Sequence, residues 1–420
     1  MNVLEELTWR GLIQDMSDPE TLSKLKAGDC FYVGFDPTAP SFQVGNLVPL
    51  LVSIHLTRAG LKPILLFGGA TGMIGDPGGK SAERNLLPLE QVAENVKLQQ
   101  SQAATLWTNA GLSITPEFVN NLDWSKDVSM LTFLRDIGKH FTVNYMLAKE
   151  SVKSRLSGDG ISYTEFSYML LQANDFLHLY QNKNCKLQVG GSDQWGNITA
   201  GLELIRRKIQ GDAYALSFPL ITNSEGKKFG KSEGNAVWLS AKLTSPYKFH
   251  QFWLNVQDAE AIRLLKIFTL ETKEKIAEVE ALMQSAPEKR DAQKLLADSI
   301  TTFVHGAEAT ADAKKCAQAL FSGALSELSN EQILEVFDDA PSSTITRAQV
   351  DELDILTLLS TTVSKSKGEA RRLVQGGGIY LDSERVSNEA LKLKETAILS
   401  KGFVVLRSGK KNYHLVRLGE

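Results

Sequence analysis

The sequence predicts an α/β protein that opens with a parallel sheet and continues into a helical segment and a small α+β domain. Short apolar strands alternate with longer helices between residues 30 and 240, the pattern of a parallel sheet covered by helices on both faces. No convincing strand follows until about residue 337. We therefore expect a sheet domain over 1–240, an all-α domain over 241–337, a linker over 338–352 and an α+β domain over 353–420.

Hydrophobic periodicity and turn residues give the individual elements. Strands are predicted at residues 31–35, 63–67, 186–189, 379–381, 403–407 and 413–418, the last two as a hairpin. Helices are predicted at residues 47–58, 89–111, 164–180, from 192 onwards, and at 271–283, 291–305 and 367–375. A run of Asp-Asp-Ala-Pro-Ser-Ser inside residues 338–352 indicates the linker.

The composition is that of a soluble globular protein. Of 420 residues, 43% are hydrophobic and 23% are charged, which excludes intrinsic disorder and fibrous repeats. No apolar run approaches the roughly 18 residues of a membrane span, and the acidic N-terminus does not resemble a secretory signal. Three widely spaced cysteines without a Cys-x-x-Cys pair argue against a disulfide framework or a zinc cage. We expect a cytoplasmic protein without a bound metal.

The charge is distributed unevenly along the chain. The net charge is −3, but the residues from Ser360 onwards carry 12 Lys and Arg against 6 Asp and Glu. A basic C-terminal segment on an acidic body indicates either a partner with phosphates or a merely solvated terminal domain.

Four glycine-marked segments each follow an apolar strand, and the carboxyl ends of parallel strands meet at one edge of a sheet. The first runs from Gly34 through Asp36 to Thr38 and continues to Gln43 and Asn46. Glycine there permits close approach of a base or phosphate, and a helix N-terminus favours negative charge. An ordinary strand-turn-helix with a turn-forming Asp-Pro explains the same residues.

The second segment has four glycines between Gly68 and Gly75. It matches neither the dinucleotide-binding fingerprint nor the phosphate-binding P-loop. Asp76, which follows it, either holds an ammonium group or caps the turn.

The third segment is the helix at residues 164–180. Tyr168, Gln172 and Asp175 lie on one face of a helix that is otherwise apolar on most sides. Such a stripe is typical of a pocket wall with placed polar groups, and a half-exposed polar face is the alternative.

The fourth segment pairs Gly190–Trp195 with a lysine-rich loop at residues 226–234. Asp193 either accepts hydrogen bonds from ribose hydroxyls or is a charge at a helix N-terminus. The loop has three glycines and almost no apolar anchor, so we expect it to be mobile. Its lysines suit a polyphosphate that is gripped and released, although a solvated hairpin turn has the same composition.

Taken together and in this order, these segments strongly resemble the bacterial tyrosyl-tRNA synthetases, a family of class I aminoacyl-tRNA synthetases. Lys228-Phe229-Gly230-Lys231-Ser232 is similar to the Lys-Met-Ser-Lys-Ser signature of that class. The resemblance covers essentially the whole chain. Its longest and most specific runs are residues 34–38, 69–77, 166–168 and 190–197.

The resemblance implies a fold, a reaction and partners. The sheet domain would be Rossmann-like and bind tyrosine and ATP, and the helical domain would lie on the anticodon side. L-Tyrosine would be activated by ATP, accompanied by Mg²⁺, and then transferred to the terminal ribose of tRNA(Tyr). The family forms homodimers, and residues 133–141 would lie at the interface.

The resemblance also assigns the site residues. Tyr32 and Asp175 would bind the phenol, and Asp76, Tyr168 and Gln172 the ammonium group, with Gln194 near the carboxylate. The phosphates would be served by Thr38, Gln43, Lys80, Arg84, Lys228 and Lys231. Further ATP contacts would come from Gly34, Asp36, Asn46, Gly191, Asp193 and Ser232. The last domain resembles a small RNA-binding domain, in which Arg371, Arg372, Lys410 and Lys411 would contact tRNA phosphates.

One position departs from the family pattern. Where the family has His-x-Gly-His, this chain has Gln43-Val44-Gly45-Asn46. Amide groups also donate hydrogen bonds but carry no charge, so a loss of about 1 kcal/mol is expected. Activation would then be several-fold to tenfold slower, and we expect an active enzyme.

Two functions other than tyrosine activation are alternatives for a chain of this kind. A tryptophanyl enzyme would have no use for the pair Tyr32 and Asp175. A catalytically impaired relative, kept as an RNA-binding or regulatory protein, would not need Asp76, Asp175, Asp193 and the loop lysines.

Overall fold

The computed structural model describes residues 2–78, 86–157, 160–222, 226, 229–232, 235–322, 324–338, 340–364, 366–409 and 412–419. The chain divides into two compact units. The first comprises residues 1–244 and 249–306, and the second comprises residues 245–248 and 307–420. Within the described ranges, no helix combines the length and the apolar character needed to cross a membrane.

A six-stranded sheet forms the centre of the first unit. Its strands are β1 (Asp15–Met16), β2 (Cys30–Phe35), β3 (Lys62–Phe67), β4 (Glu117–Asn120), β5 (Cys185–Gly191) and β6 (Tyr214–Phe218). The spatial order is β1-β6-β5-β2-β3-β4, and every neighbouring pair is parallel except β1 with β6. A separate antiparallel pair consists of β7 (Lys231–Ser232) and β8 (Asn235–Ala236). The parallel sheet predicted from the alternating pattern is confirmed, and it is Rossmann-like, as the resemblance implied.

The helices as far as residue 306 belong to the first unit, except that α11 begins in the second. They are α1 (Val3–Trp9), α2 (Thr21–Lys24), α3 (Leu47–Arg58), α4 (Leu89–Asn109), α5 (Leu122–Ser125), α6 (Met130–Asp136), α7 (Val143–Leu147), α8 (Glu150–Leu156), α9 (Tyr163–Lys183), α10 (Trp195–Ile209), α11 (Pro246–Leu254), α12 (Asp258–Phe268), α13 (Lys273–Ser285) and α14 (Asp291–His305).

The sheet is buried on both faces. Successive residues of a strand point to opposite faces, so neighbours in sequence join different apolar clusters. Phe31 and Val33 of β2 belong to one apolar cluster, which also contains α3, α12 and α14. Tyr32, between them, belongs to a second cluster with α9 and α10. Helices on both faces explain why these strands are apolar without alternation.

The predicted all-α domain over 241–337 is divided between the two units. Leu264 and Ile300, from α12 and α14, are fully buried in the core of the first unit. Residues from Ala307 onwards belong to the second unit. Periodicity predicted α13 and α14 but not α11, α12, α15 or α16, and it could not show which core each apolar face joins.

The second unit is a small α+β structure. Its helices are α15 (Ala307–Ser322), α16 (Asn330–Val336), α17 (Arg347–Glu352), α18 (Ile355–Thr362), α19 (Lys367–Gln375) and α20 (Ile398–Lys401). Its strands are β9 (Ser342–Ile345), β10 (Ile379–Leu381), β11 (Glu384–Arg385), β12 (Phe403–Ser408) and β13 (Asn412–Leu418). They form one sheet in the order β11-β10-β12-β13-β9.

The predicted linker over 338–352 is wrong for most of its length. β9 pairs in parallel with β13, and the side chain of Ile345 is 7% exposed within the core. The helix α17 then occupies the rest of the segment. Turn-forming residues marked the start of this segment, but pairing with a strand some seventy residues later in the sequence decided its structure. The hairpin of β12 and β13 is confirmed.

Candidate active site

A cavity of about 310 Å³ lies at the carboxyl edge of the central strands. It is the position at which open parallel sheets bind ligands. The four glycine-marked segments contribute to its walls. Twelve of the residues proposed from the sequence line it: Tyr32, Gly34, Asp36, Thr38, Asn46, Asp76, Tyr168, Gln172, Asp175, Gly191, Asp193 and Gln194.

The carboxylate of Asp175, from α9, is 2% exposed and holds two side-chain hydrogen bonds. Nδ2 of Asn121 donates to Oδ2 over 2.9 Å, and Nε1 of Trp124 donates to Oδ1 over 2.9 Å. Burial raises the pKa of Asp175 to about 7, while these two donors act in the opposite direction. The group is thus a carboxylate that ionises near neutral pH inside an apolar wall.

The hydroxyl of Tyr32, on β2, is buried beside this carboxylate. Among the described residues it has no hydrogen-bond partner. Burial, and after it the charge of Asp175, hold the pKa of Tyr32 well above its usual value. The hydroxyl therefore stays protonated, and a ligand that reaches it can satisfy a buried polar group.

A second polar cluster joins α9 to the end of β2. The hydroxyl of Tyr168 donates to Oδ2 of Asp36 over 2.8 Å, and Oγ1 of Thr71 donates to Oδ1 over 2.7 Å. Glycine is favoured at position 68, because a Cβ atom there would clash with Oδ1 of Asp36 and Oγ1 of Thr71. The second glycine-marked segment thus lets a carboxylate pass close to the backbone.

Asp76 lies where the turn after β3 meets the start of α10. Oδ1 accepts the N–H of Gly78 over 3.0 Å, and Oδ2 accepts a short hydrogen bond from Nε2 of Gln194. Nδ2 of Asn197 lies 3.4 Å from Oδ1 and donates to Oε1 of Gln194 over 3.2 Å. The carboxylate is 5% exposed and is oriented by amides.

The segment that departs from the family signature is tied to the chain beyond β8. The N–H of Gln43 donates to Oδ1 of Asn46 over 2.9 Å, and the N–H of Val44 donates to the carbonyl of Val237 over 3.0 Å. Asn46 lines the cavity, whereas Gln43 is half-buried beside it and does not.

The lysine-rich loop has an apolar anchor that the sequence analysis missed. The ring of Phe229 lies 5.4, 5.5 and 5.6 Å from the rings of Phe252, Trp253 and Phe268. The N–H of Phe229 also donates to the carbonyl of Ile221 over 2.9 Å. The expectation of almost no apolar anchor is therefore wrong, because the partners of Phe229 come from later helices.

Several proposed residues lie outside the part of the chain that the structure describes. They are Lys80, Arg84, Lys228, Lys410 and Lys411, and for Lys231 and Ser232 only the backbone, in β7, is described. Most of residues 226–234 also lie outside the described residues, so the expected mobility of this loop stays a prediction. Arg371 and Arg372 are exposed on α19, where Nε of Arg371 donates to Oε2 of Glu389 over 2.9 Å.

Four residues of the site were not predicted from the sequence: Asn121, Trp124, Thr71 and Asn197. Asn121 had a usable signal, since it directly follows β4 at the same carboxyl edge, but β4 itself was not recognised. Asn197 lies two residues after Trp195, at the end of the run at residues 190–197. Trp124 carried no signal, because its indole could equally have been a core side chain.

A doubly wound parallel sheet with an acidic, polar cavity at its carboxyl edge defines a nucleotide-binding type of α/β protein. Residues 29–322 match the family of class I tRNA synthetases (W and Y), and residues 332–416 match the tyrosine--tRNA ligase SYY-like C-terminal domain. The chain therefore belongs to the class I tRNA synthetases, and within them to the tyrosyl-tRNA synthetase family.

Individual relatives agree over the full length. The chain is 47% identical over 423 residues to tyrosine--tRNA ligase of Roseiflexus castenholzii, covering 99% of each. It is 47% identical over 422 residues to tyrosine--tRNA ligase of Bacillus pumilus, again covering 99% of each. A C-terminally truncated mitochondrial tyrosyl-tRNA synthetase of Aspergillus nidulans is similar in structure, with a TM-score of 0.69 and 30% identity over 76% of this chain and 94% of that one.

Proposed function

We propose that this chain is an active tyrosine--tRNA ligase. It converts L-tyrosine and ATP into tyrosyl-adenylate and diphosphate, and then transfers the tyrosyl group to the terminal ribose of tRNA(Tyr). The observation that carries this proposal is the pair formed by Tyr32 and Asp175. One is a buried hydroxyl with no hydrogen-bond partner among the described residues, and the other is a buried carboxylate, and both line the same cavity.

A phenol satisfies both groups at once. Its hydroxyl donates to Asp175 and accepts from Tyr32, so two buried polar groups gain partners. Phenylalanine fits the same space but leaves the Tyr32 hydroxyl without a partner and gives Asp175 no further donor. Tyrosyl-tRNA synthetases are the standard example of discrimination on this basis. The indole of tryptophan can donate to Asp175 but cannot accept a hydrogen bond from Tyr32, which favours the tyrosyl over the tryptophanyl reaction.

The remaining groups of the cavity suit the reacting end of the amino acid. Asp76, Tyr168 and Gln172 hold the ammonium group, and Gln194 lies near the carboxylate. A tyrosine carboxylate oxygen attacks the α-phosphorus of ATP, and the electrons of the bond that breaks leave with diphosphate. The protein supplies position and charge and needs no nucleophile of its own.

ATP binds along the carboxyl edge, with Asp193 on the ribose. Thr38, Gln43, Lys80, Arg84, Lys228 and Lys231 serve the phosphates, with Gly34, Asp36, Asn46, Gly191 and Ser232 completing the contacts. Mg²⁺ enters with ATP as part of the substrate. Oδ1 of Asn46 accepts the N–H of Gln43, so the side-chain NH₂ of Asn46 is left to donate to a phosphate.

The second unit binds tRNA through the basic positions Arg371, Arg372, Lys410 and Lys411. The match of residues 332–416 to a tyrosyl-tRNA synthetase C-terminal domain supports this role. The reaction takes place in the cytoplasm.

The chain acts as a homodimer. Large apolar side chains stand exposed on α6–α9, around the expected interface at residues 133–141. They are Met130 (74% exposed), Leu131 (75%), Val143 (61%), Leu156 (49%) and Tyr163 (72%). Exposed apolar surface of this kind is typical of a subunit interface.

Tyrosine-dependent exchange of labelled pyrophosphate into ATP tests the activity, with tryptophan and phenylalanine as controls. Exchange with tyrosine alone is expected. Asp175→Ala is expected to abolish selectivity for tyrosine, and unchanged selectivity would contradict the assignment of the pocket. No exchange with any amino acid in folded protein with Mg²⁺ would instead favour an RNA-binding role.

A further inference from the structure

A buried ion pair joins the end of α8 to the first turn of α9. Nη1 of Arg155 donates to Oε1 of Glu165 over 2.9 Å, and Nη2 lies 2.9 Å from Oε2. The two side chains are 4% and 1% exposed. The pair therefore has one hydrogen bond and one short charge contact, and the planar guanidinium constrains the direction of the carboxylate as well as its distance.

Arg155 also fixes the chain that connects the two helices. Nη2 donates to the carbonyl of Gly160 over 3.1 Å, and the N–H of Gly160 donates to the carbonyl of Arg155 over 3.1 Å. Oγ of Ser162 caps α9 by accepting the N–H of Glu165 over 3.2 Å. The start of α9 is therefore held from two directions, by its cap and by the guanidinium.

Glu165 begins the stripe of polar residues that faces the cavity. Tyr168, Gln172 and Asp175 follow it at i+3, i+7 and i+10, which places all four on one face of α9. The last three line the cavity, whereas Arg155 and Glu165 do not. A rotation or shift of the first turn would move Tyr168 and Gln172 relative to Asp36 and Asp76.

We propose that Arg155 and Glu165 are positioning residues for tyrosine. Their ion pair fixes the start and rotation of α9 and so places Tyr168 and Gln172 at the ammonium end of the cavity. Stability alone does not account for the pair, because apolar residues of similar size at such positions are often as stabilising. The inference rests on the proposed tyrosine activation and adds two residues that act on it from behind the cavity wall.

Replacing both charged residues by apolar ones distinguishes a role in orienting α9 from a role in stabilising the fold. Arg155→Met and Glu165→Met each leave a buried charge unpaired and are expected to lower the Tm, whereas the double variant is expected to recover it. In pyrophosphate exchange by the full chain, the double variant should keep a KM for tyrosine raised about tenfold, with the KM for ATP within about twofold of wild type. The matched control is Lys183→Met, which removes an exposed ion pair with Glu117 at the other end of α9. Its KM values should not change.

A wild-type KM for tyrosine in the double variant would overturn the inference, as would an equal rise in both KM values. If a single variant does not fold, the KM for tyrosine and the KM for ATP are compared in the double variant and in Arg155→Lys instead. Calorimetric measurement of tyrosine binding to wild type and to the same variants distinguishes the positioning role from the proposed activity. Wild-type protein without exchange would contradict tyrosine activation, whereas unchanged tyrosine affinity in the double variant would contradict only the positioning role.

Discussion

Nε1 of Trp124 donates a hydrogen bond to Oδ1 of Asp175 over 2.9 Å, and the indole ring stacks on His178 at a centroid distance of 4.3 Å. Asn121 supplies the second donor. Burial raises the pKa of Asp175 to about 7, and these two donors offset part of that rise. The specificity of the cavity thus depends on a short segment after β4 as much as on α9 itself.

Tyr32→Phe should affect folding and substrate binding in opposite directions. The ring keeps its packing and a buried hydroxyl without a partner is removed, so the Tm should stay equal or rise. The KM for tyrosine should rise about five- to tenfold, which corresponds to the loss of one hydrogen bond to the substrate. Thermal unfolding and pyrophosphate exchange measure the two effects. Tyr214→Phe, on β6, is the matched control and should change neither.

The pH dependence of stability should identify Asp175. Its pKa is raised to about 7 in the folded protein and is about 3.9 in an unfolded chain. Between these values the folded state keeps a proton that the unfolded chain has lost, so this group lowers stability as pH rises from about 4 to about 7. Relative to wild type, Asp175→Asn should therefore gain stability with rising pH, by at most about 1.4 kcal/mol per unit. Urea unfolding at several pH values tests this, and a constant difference would contradict the raised pKa.

Tyrosine binding should weaken at low pH for the same reason. A phenol hydroxyl that donates to Asp175 needs the ionised carboxylate. The KM for tyrosine should therefore rise as pH falls below about 7, while the KM for ATP should not follow the same curve. In Asp175→Asn this dependence should disappear, and its persistence would assign the titration to another group.

Phe229→Ala should slow the activation of tyrosine, although Phe229 is not among the residues proposed to contact a substrate. The ring fills an aromatic cluster with Phe252, Trp253 and Phe268, so its loss should cost about 2 kcal/mol of stability. Because Lys228 and Lys231 flank it, we expect a lower kcat for exchange with little change in the KM for tyrosine. Phe229→Leu, which keeps an apolar side chain, should retain most of the rate.

The exposed apolar residues of α6 should control assembly. Leu131→Glu places a charge on a side chain that is 75% exposed and should yield a single chain of 46.2 kDa in sedimentation experiments. Leu282→Glu makes the same change at an exposed leucine of α13 and should leave the dimer intact. Dimers in both variants would exclude this surface as the interface.

Local patterns predicted several of the longer elements of this protein. Alternation of apolar strands with helices specified the parallel sheet, and the bounds of α3, α14, α19 and β10 agree with those expected from periodicity and glycine stops. The stripe of Tyr168, Gln172 and Asp175 was also visible in the sequence, because helical spacing alone puts these side chains on one face.

Only the tertiary structure decided which of these elements meet. The strand β9, the anchor provided by Phe229 and the donors to Asp175 all depend on partners distant in sequence, which no local pattern specifies. The same holds for Glu165. Its carboxylate pairs with Arg155 of the preceding helix, which no local pattern indicated. Residue type and spacing fix what a side chain can do, whereas its partner and its charge are set by the dielectric and the contacts that folding creates.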